Sequence, residues 1–150
     1  MSDDAAPAPV VRLADDFFAA PQLTAADFAV AKALGAAIVI NSRVEGEAPD
    51  MPPSAEMQAA AEAAGLAYAH IPVGPAGIDH AALDAFDAAV EAADGAVVGF
   101  CKSGFRSVTL RAFARARAGV APDAVIAEAA DAGFDLSPYR GVLTALGDPA

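Results

Sequence analysis

A chain of 150 residues is long enough to form one domain with a substantial core, without disulfides or a metal to hold it. Its composition, 56% hydrophobic and 19% charged, excludes an intrinsically disordered chain, and a net charge of −11 argues against nucleic acid and anionic membranes as partners. One cysteine can form no internal disulfide, which fits a reducing compartment.

Residues 1–15 carry Ala-Pro-Ala-Pro and acidic pairs and are expected to be a loose tail, with a single domain over 16–150. The first residues are acidic where a secretory leader would be basic. The longest apolar stretch, Phe28 to Ile40, is interrupted by Lys32, so a cytoplasmic location is expected. Phe17-Phe18-Ala19 reads as a first strand. Thr24 is a plausible N-cap for a helix from Ala25 to Leu34 that stops at Gly35. Ala37 to Ile40 is a buried strand, and 41–53, with three prolines and several charges, is an irregular loop. Ser54 is expected to cap a helix to Ala64, followed by a strand from Leu66 to Val73. Asp79 caps a third helix, to about Ala93, and Ala96 to Phe100 is a strand leading straight into Cys101. Helices over 107–118, 122–132 and 137–146 complete the chain. Short, continuously apolar strands alternating with helices predict a three-layer α/β domain, its mainly parallel central sheet flanked by helices on both faces.

The chemistry gathers at Cys101-Lys102-Ser103-Gly104-Phe105-Arg106-Ser107. The first N–H groups of a helix lack partners, and its dipole adds partial positive charge there. Gly104 lets successive N–H groups converge on one point, and Arg106 supplies a planar fork suited to an oxyanion. Such a setting favours a thiolate, and Ser107 is placed to donate a hydrogen bond to the sulfur. A nucleophile beside an oxyanion cradle performs covalent group transfer. Five cations (Lys102, Arg106, Arg111, Arg115, Arg117) follow Cys101 within 16 positions (117 − 101), consistent with a small anionic substrate. The plainer alternatives are a solvated helix face for the last three arginines and a packing role for the cysteine. Arg43 and Glu47, in the loop after a strand, are accessory candidates, with a local ion pair as the alternative. His70 and His80 lack metal-ligand spacing, and no metal or cofactor is implied.

Several landmarks occur in order: Pro21-Gln22, Ile40-Asn41-Ser42-Arg43 with Glu47, Ala64-Gly65-Leu66-Ala67-Tyr68, His70-Ile71-Pro72-Val73, and Phe100 to Ser107. Together they make the run from Phe17 to Leu146 resemble the bacterial beta-lactamase-hydrolase-like phosphatase family. That resemblance implies a cysteine-phosphatase fold of dual-specificity type, with Cys101 as nucleophile and Arg106 as phosphate clamp. The chain departs from the phosphatase pattern in three respects. Four residues, Lys102 to Phe105, separate Cys and Arg instead of five, the count found in rhodanese sulfurtransferases. Gly74-Pro75 stands where the aspartic general acid would be, leaving Asp79 as the nearest carboxylate. Phe100 replaces the usual histidine. Three functions are therefore open: a cysteine-dependent phosphatase working through a phospho-cysteine, a sulfurtransferase taking sulfur from thiosulfate or a persulfide, and a non-catalytic anion-binding module.

Overall fold

A computed structural model describes residues 10–148. Five strands form one sheet in the order β1-β2-β5-β3-β4: β1 (Val11–Ala14), β2 (Phe17–Ala20), β3 (Ala36–Asn41), β4 (Ala67–His70) and β5 (Ala96–Phe100). Only β1 runs antiparallel, paired to β2; the other three pairings are parallel. The strand register sends alternate side chains to opposite faces. Ile38, Ile40 and Val97 join Phe17, Leu83, Phe86, Val108 and Leu110 on one face. Val39, Val98 and Phe100 join Phe28, Met57 and Leu66 on the other. The second face is covered by α1 (Ala25–Ala33) and α2 (Ser54–Ala63), and the first by α3 (His80–Ala92), α4 (Phe105–Arg117), α5 (Pro122–Asp131) and α6 (Arg140–Leu146). Phe100 is fully buried against Phe28. Burying a side chain of that size stabilises by roughly 1.5–3 kcal/mol, which accounts for an apolar residue in front of the cysteine.

Four sequence expectations need adjustment. The expected loose tail reaches too far, because Val11–Ala14 pairs as the edge strand β1; residues 1–9 lie outside the described residues. Ser54 is the first residue of α2 and not its cap: its N–H donates to Glu45 at 2.9 Å, and its hydroxyl meets the Tyr68 hydroxyl at 2.7 Å. The second predicted strand is shorter than 66–73, ending at His70, although Ile71 and Val73 still donate to the carbonyls of Asn41 and Ser42. Helix α4 begins at Phe105, two positions before Ser107, so Arg106 stands in its first turn. It is the central helix, buried continuously from Ser107 to Ala114.

Candidate active site

The site lies at the C-terminal ends of the parallel strands, where α/β folds place ligands. Strand β5 delivers Cys101, whose N–H donates to Ala20 at 3.2 Å. The chain then turns within three residues onto α4. Gly104 makes that turn with φ +93°, and a Cβ there would stand 3.3 Å from the Phe134 ring, so both conformation and space call for glycine. The turn aims the Gly104 N–H at the Cys101 sulfur, 3.0 Å away. Lys102 and Ser103 face solvent, and the Ser103 hydroxyl accepts the Phe105 N–H at 3.4 Å. The sulfur itself is fully buried.

Arg106 is held from behind. Its Nη1 and Nη2 donate to the two oxygens of Glu47 at 2.8 and 2.7 Å, and Nη1 also donates to the Val73 carbonyl at 3.1 Å. A guanidinium has five N–H donors; these bonds use three of them and leave the fork formed by Nε–H and the second Nη2–H. Cys101 contributes, after Glu47, to raising Arg106 above its ordinary range, as a hydrogen-bond acceptor and as a nearby charge. Glu47 is itself shared. Arg43, whose side chain is 6% exposed, donates from Nε to Glu47 at 2.8 Å and from Nη1 to Gln22 at 2.8 Å. The Val44 N–H adds a bond at 2.9 Å. Arg106 first, and then Arg43 and Val44, hold the Glu47 carboxyl well below the usual carboxylate range against the opposing effect of burial. His70 fixes the base of this loop, its Nε2 donating to the Arg43 carbonyl at 2.6 Å.

Beside Arg106 opens a cavity of about 660 Å³. Val73, Ile78, Phe105, Phe113 and Tyr139 form its apolar wall, with Arg106 and Glu47 at one side. The rings of Phe105 and Phe113 both contact Tyr139, with centroids 6.1 and 5.8 Å apart.

The remaining predicted residues separate into distinct groups. Asp79 is the N-cap of α3, accepting the Ala82 N–H at 2.9 Å, and is exposed. Ser107 is buried with its hydroxyl unpartnered and makes no hydrogen bond to the sulfur. Arg111, Arg115 and Arg117 do not serve the loop. Arg111 and Arg115 pair with Glu128 on α5, and Arg117 pairs with Asp84 and Asp87 on α3 at 2.9 and 3.0 Å. Their spacing along α4 turns them onto neighbouring helices, so the local excess of cations narrows to Lys102 and Arg106. Gln22, the Val73 carbonyl, Phe113 and Tyr139 were not singled out as site residues from the sequence, whereas Phe105 of the same wall was. Gln22 meets Arg43 only through folding, and nothing in the order of residues marks Phe113 and Tyr139 as neighbours of the loop.

Comparison with known proteins agrees with this geometry. Residues 10–119 match the family described as beta-lactamase hydrolase-like protein, phosphatase-like domain, and the chain belongs to that family. The beta-lactamase hydrolase-like protein of Agrobacterium fabrum is 38% identical over 100 residues, covering 67% of this chain and 23% of the relative. The chain thus spans about a quarter of the length of the curated relatives it matches. A candidate phosphatase from Neisseria meningitidis superposes with a TM-score of 0.79 at 29% identity, covering 91% of this chain and 96% of that one. P. aeruginosa TpbA, solved in complex with phosphotyrosine, superposes with a TM-score of 0.60 at 17% identity over 95% and 98% of the two chains, a likeness of fold. The fold is that of the cysteine phosphatases.

Proposed function

We propose that this protein is a cysteine-dependent phosphatase acting on phosphate esters with apolar, readily departing leaving groups. The observation that carries this reading is the arrangement at the start of α4: the Gly104 N–H is aimed at the Cys101 sulfur, and an arginine fork is held beside it by Glu47. In the first step the thiolate attacks phosphorus, an S–P bond forms, and the P–O bond to the leaving group breaks with its electron pair on oxygen. Arg106 and the loop N–H groups stabilise the charge on the other oxygens. Water then attacks the phospho-cysteine, the S–P bond breaks, and the thiolate returns as phosphate leaves. Asp79 is engaged in capping α3, and Glu47 is ionised between two arginines, so neither supports a role as proton donor to the leaving group. An aryl oxide, a weaker base than an alkoxide, depends far less on such a proton. The apolar cavity beside Arg106 suits an aromatic ring, and TpbA, of the same fold, binds phosphotyrosine. The test is hydrolysis of an aryl phosphate: turnover that vanadate inhibits and Cys101→Ser abolishes supports the reading, and turnover surviving in Cys101→Ser refutes it.

A second reading rests on two specific observations, the four-residue loop and the complete burial of the sulfur, which favour a small reactant. As a sulfurtransferase, Cys101 would attack the sulfane sulfur of thiosulfate. An S–S bond forms, sulfite leaves with the electron pair, and the outer sulfur then passes to an acceptor thiolate or cyanide. Incubation with thiosulfate followed by intact-mass measurement tests it, with a gain of one sulfur atom expected in the wild type and none in Cys101→Ser.

Among the described residues, no helix is long and apolar enough to cross a membrane. The low cation content outside the site disfavours nucleic-acid and anionic-membrane partners, and the lone cysteine suits the reducing conditions of a cytoplasmic protein acting on a small anionic substrate.

A further inference from the structure

Among the described residues, two buried hydroxyls have no hydrogen-bond partner, those of Ser42 and Ser107, and both belong to the neighbourhood of Cys101. Ser42 follows β3, and its N–H donates to the Phe100 carbonyl at 2.9 Å, which sets it on the same rung as Cys101. Alternation fixes the face. Asn41 and Phe100, one rung back, point to the α1–α2 side, where Asn41 bonds the Tyr68 hydroxyl and Phe100 packs on Phe28. Ser42 and Cys101 therefore point together to the α4 side. Ser107 approaches the same face from α4, its hydroxyl 3.2 Å from where a Cβ on Gly99 would stand. Leaving a hydroxyl buried without a partner is destabilising, and alanine would fill the Ser42 position without that cost. The neighbouring side chains of Asn41 and Arg43 both have partners, which Ser42 between them does not.

We propose that Ser42 is a positioning residue for the nucleophile, donating its hydroxyl proton to the Cys101 sulfur from the strand side when the sulfur is a thiolate. The charged groups around the sulfur are Arg106 from α4, Glu47 behind it, and the exposed Lys102 on the loop. Ser42 adds an uncharged donor where the sheet offers none, and it complements a loop that is one residue short of the phosphatase length. The inference rests on Cys101 being the nucleophile.

Because Cys101 is the only cysteine, the ultraviolet absorbance of its thiolate can be titrated against pH in the full chain, with Cys101→Ser as the blank. In Ser42→Ala the midpoint should move to higher pH, and aryl phosphate turnover near neutral pH should fall roughly tenfold to a hundredfold, the worth of a hydrogen bond to a charged group. Ser42→Thr, which keeps the hydroxyl, should stay close to the wild type. At a pH low enough to keep the thiol protonated, the melting temperature of Ser42→Ala should be equal to or above that of the wild type, and it should fall below the wild type as the thiol ionises. An unchanged midpoint, or a lowered melting temperature in Ser42→Ala while the thiol is protonated, overturns the inference. Failure of the underlying reading shows separately, as a wild type with neither aryl phosphate turnover nor sulfur uptake.

Discussion

Glu47 and Arg106, 59 positions apart in the chain, meet in a two-point ion pair with both N–O distances under 3 Å (2.8 and 2.7 Å). The pair joins the loop after β3 to the first turn of α4 and holds the guanidinium by one edge. Glu47 is thus a positioning residue, held by Arg43, which is bonded in turn to Gln22.

Replacing Glu47 by Gln should release that hold. A displacement of about 1 Å at a catalytic group can cost about a hundredfold, so aryl phosphate turnover should fall by roughly tenfold to a hundredfold while Cys101 remains intact. The same substitution has a pH signature. The folded carboxyl lies below its ordinary value of 4.5, so its contribution to stability is fully present above that pH and is lost as the pH falls towards the folded value. The melting temperatures of wild type and Glu47→Gln should therefore differ most near neutral pH and converge below about pH 4.5. A gap that stays constant on acidification would show that the pair does not stabilise the fold through its ionisation.

Asp79 offers a contrast, because its cap and its catalytic role predict different outcomes. Asp79→Ala should cost about 1 kcal/mol of stability through loss of the bond from Ala82, and Asp79→Asn should cost little. In neither should the ratio of aryl to alkyl phosphate turnover change, and that ratio should be large in the wild type. A selective loss of alkyl phosphate turnover in Asp79→Asn would make Asp79 the acid.

Gly99 is the residue that lets α4 sit down on β5. A methyl group there would stand 3.0 Å from the Ser107 Cβ and 3.2 Å from the Phe17 ring, and neither neighbour has a flexible end to yield. Gly99→Ala should destabilise by roughly 1–3 kcal/mol in denaturant unfolding and lower turnover through the displaced loop.

Much of this was legible in the sequence, for local reasons. The run Ala96–Phe100 is bounded by Gly95 and the cysteine loop, so its strand could be placed to the residue, and the cap at Asp79 follows from its position before an apolar helical pattern. Strand β1 was hidden because Val11–Ala14 is a short edge strand, half-buried and mixed in character, whose pairing depends on β2. The cation cluster misled because helical spacing sends Arg111, Arg115 and Arg117 towards acidic residues on other helices. The apolar cavity and the unpartnered Ser42 were out of reach, since both arise where segments distant in the chain come together.

The central claim is that Cys101 carries the transferred phosphoryl group. The most direct test is intact-mass measurement of the protein, rapidly quenched in acid during turnover of an aryl phosphate, with peptide mapping of any adduct. The account predicts a fraction of chains heavier by one phosphoryl group, all of it on Cys101 and none in Cys101→Ser. Turnover with no adduct on Cys101, or with the adduct on another residue, would contradict it.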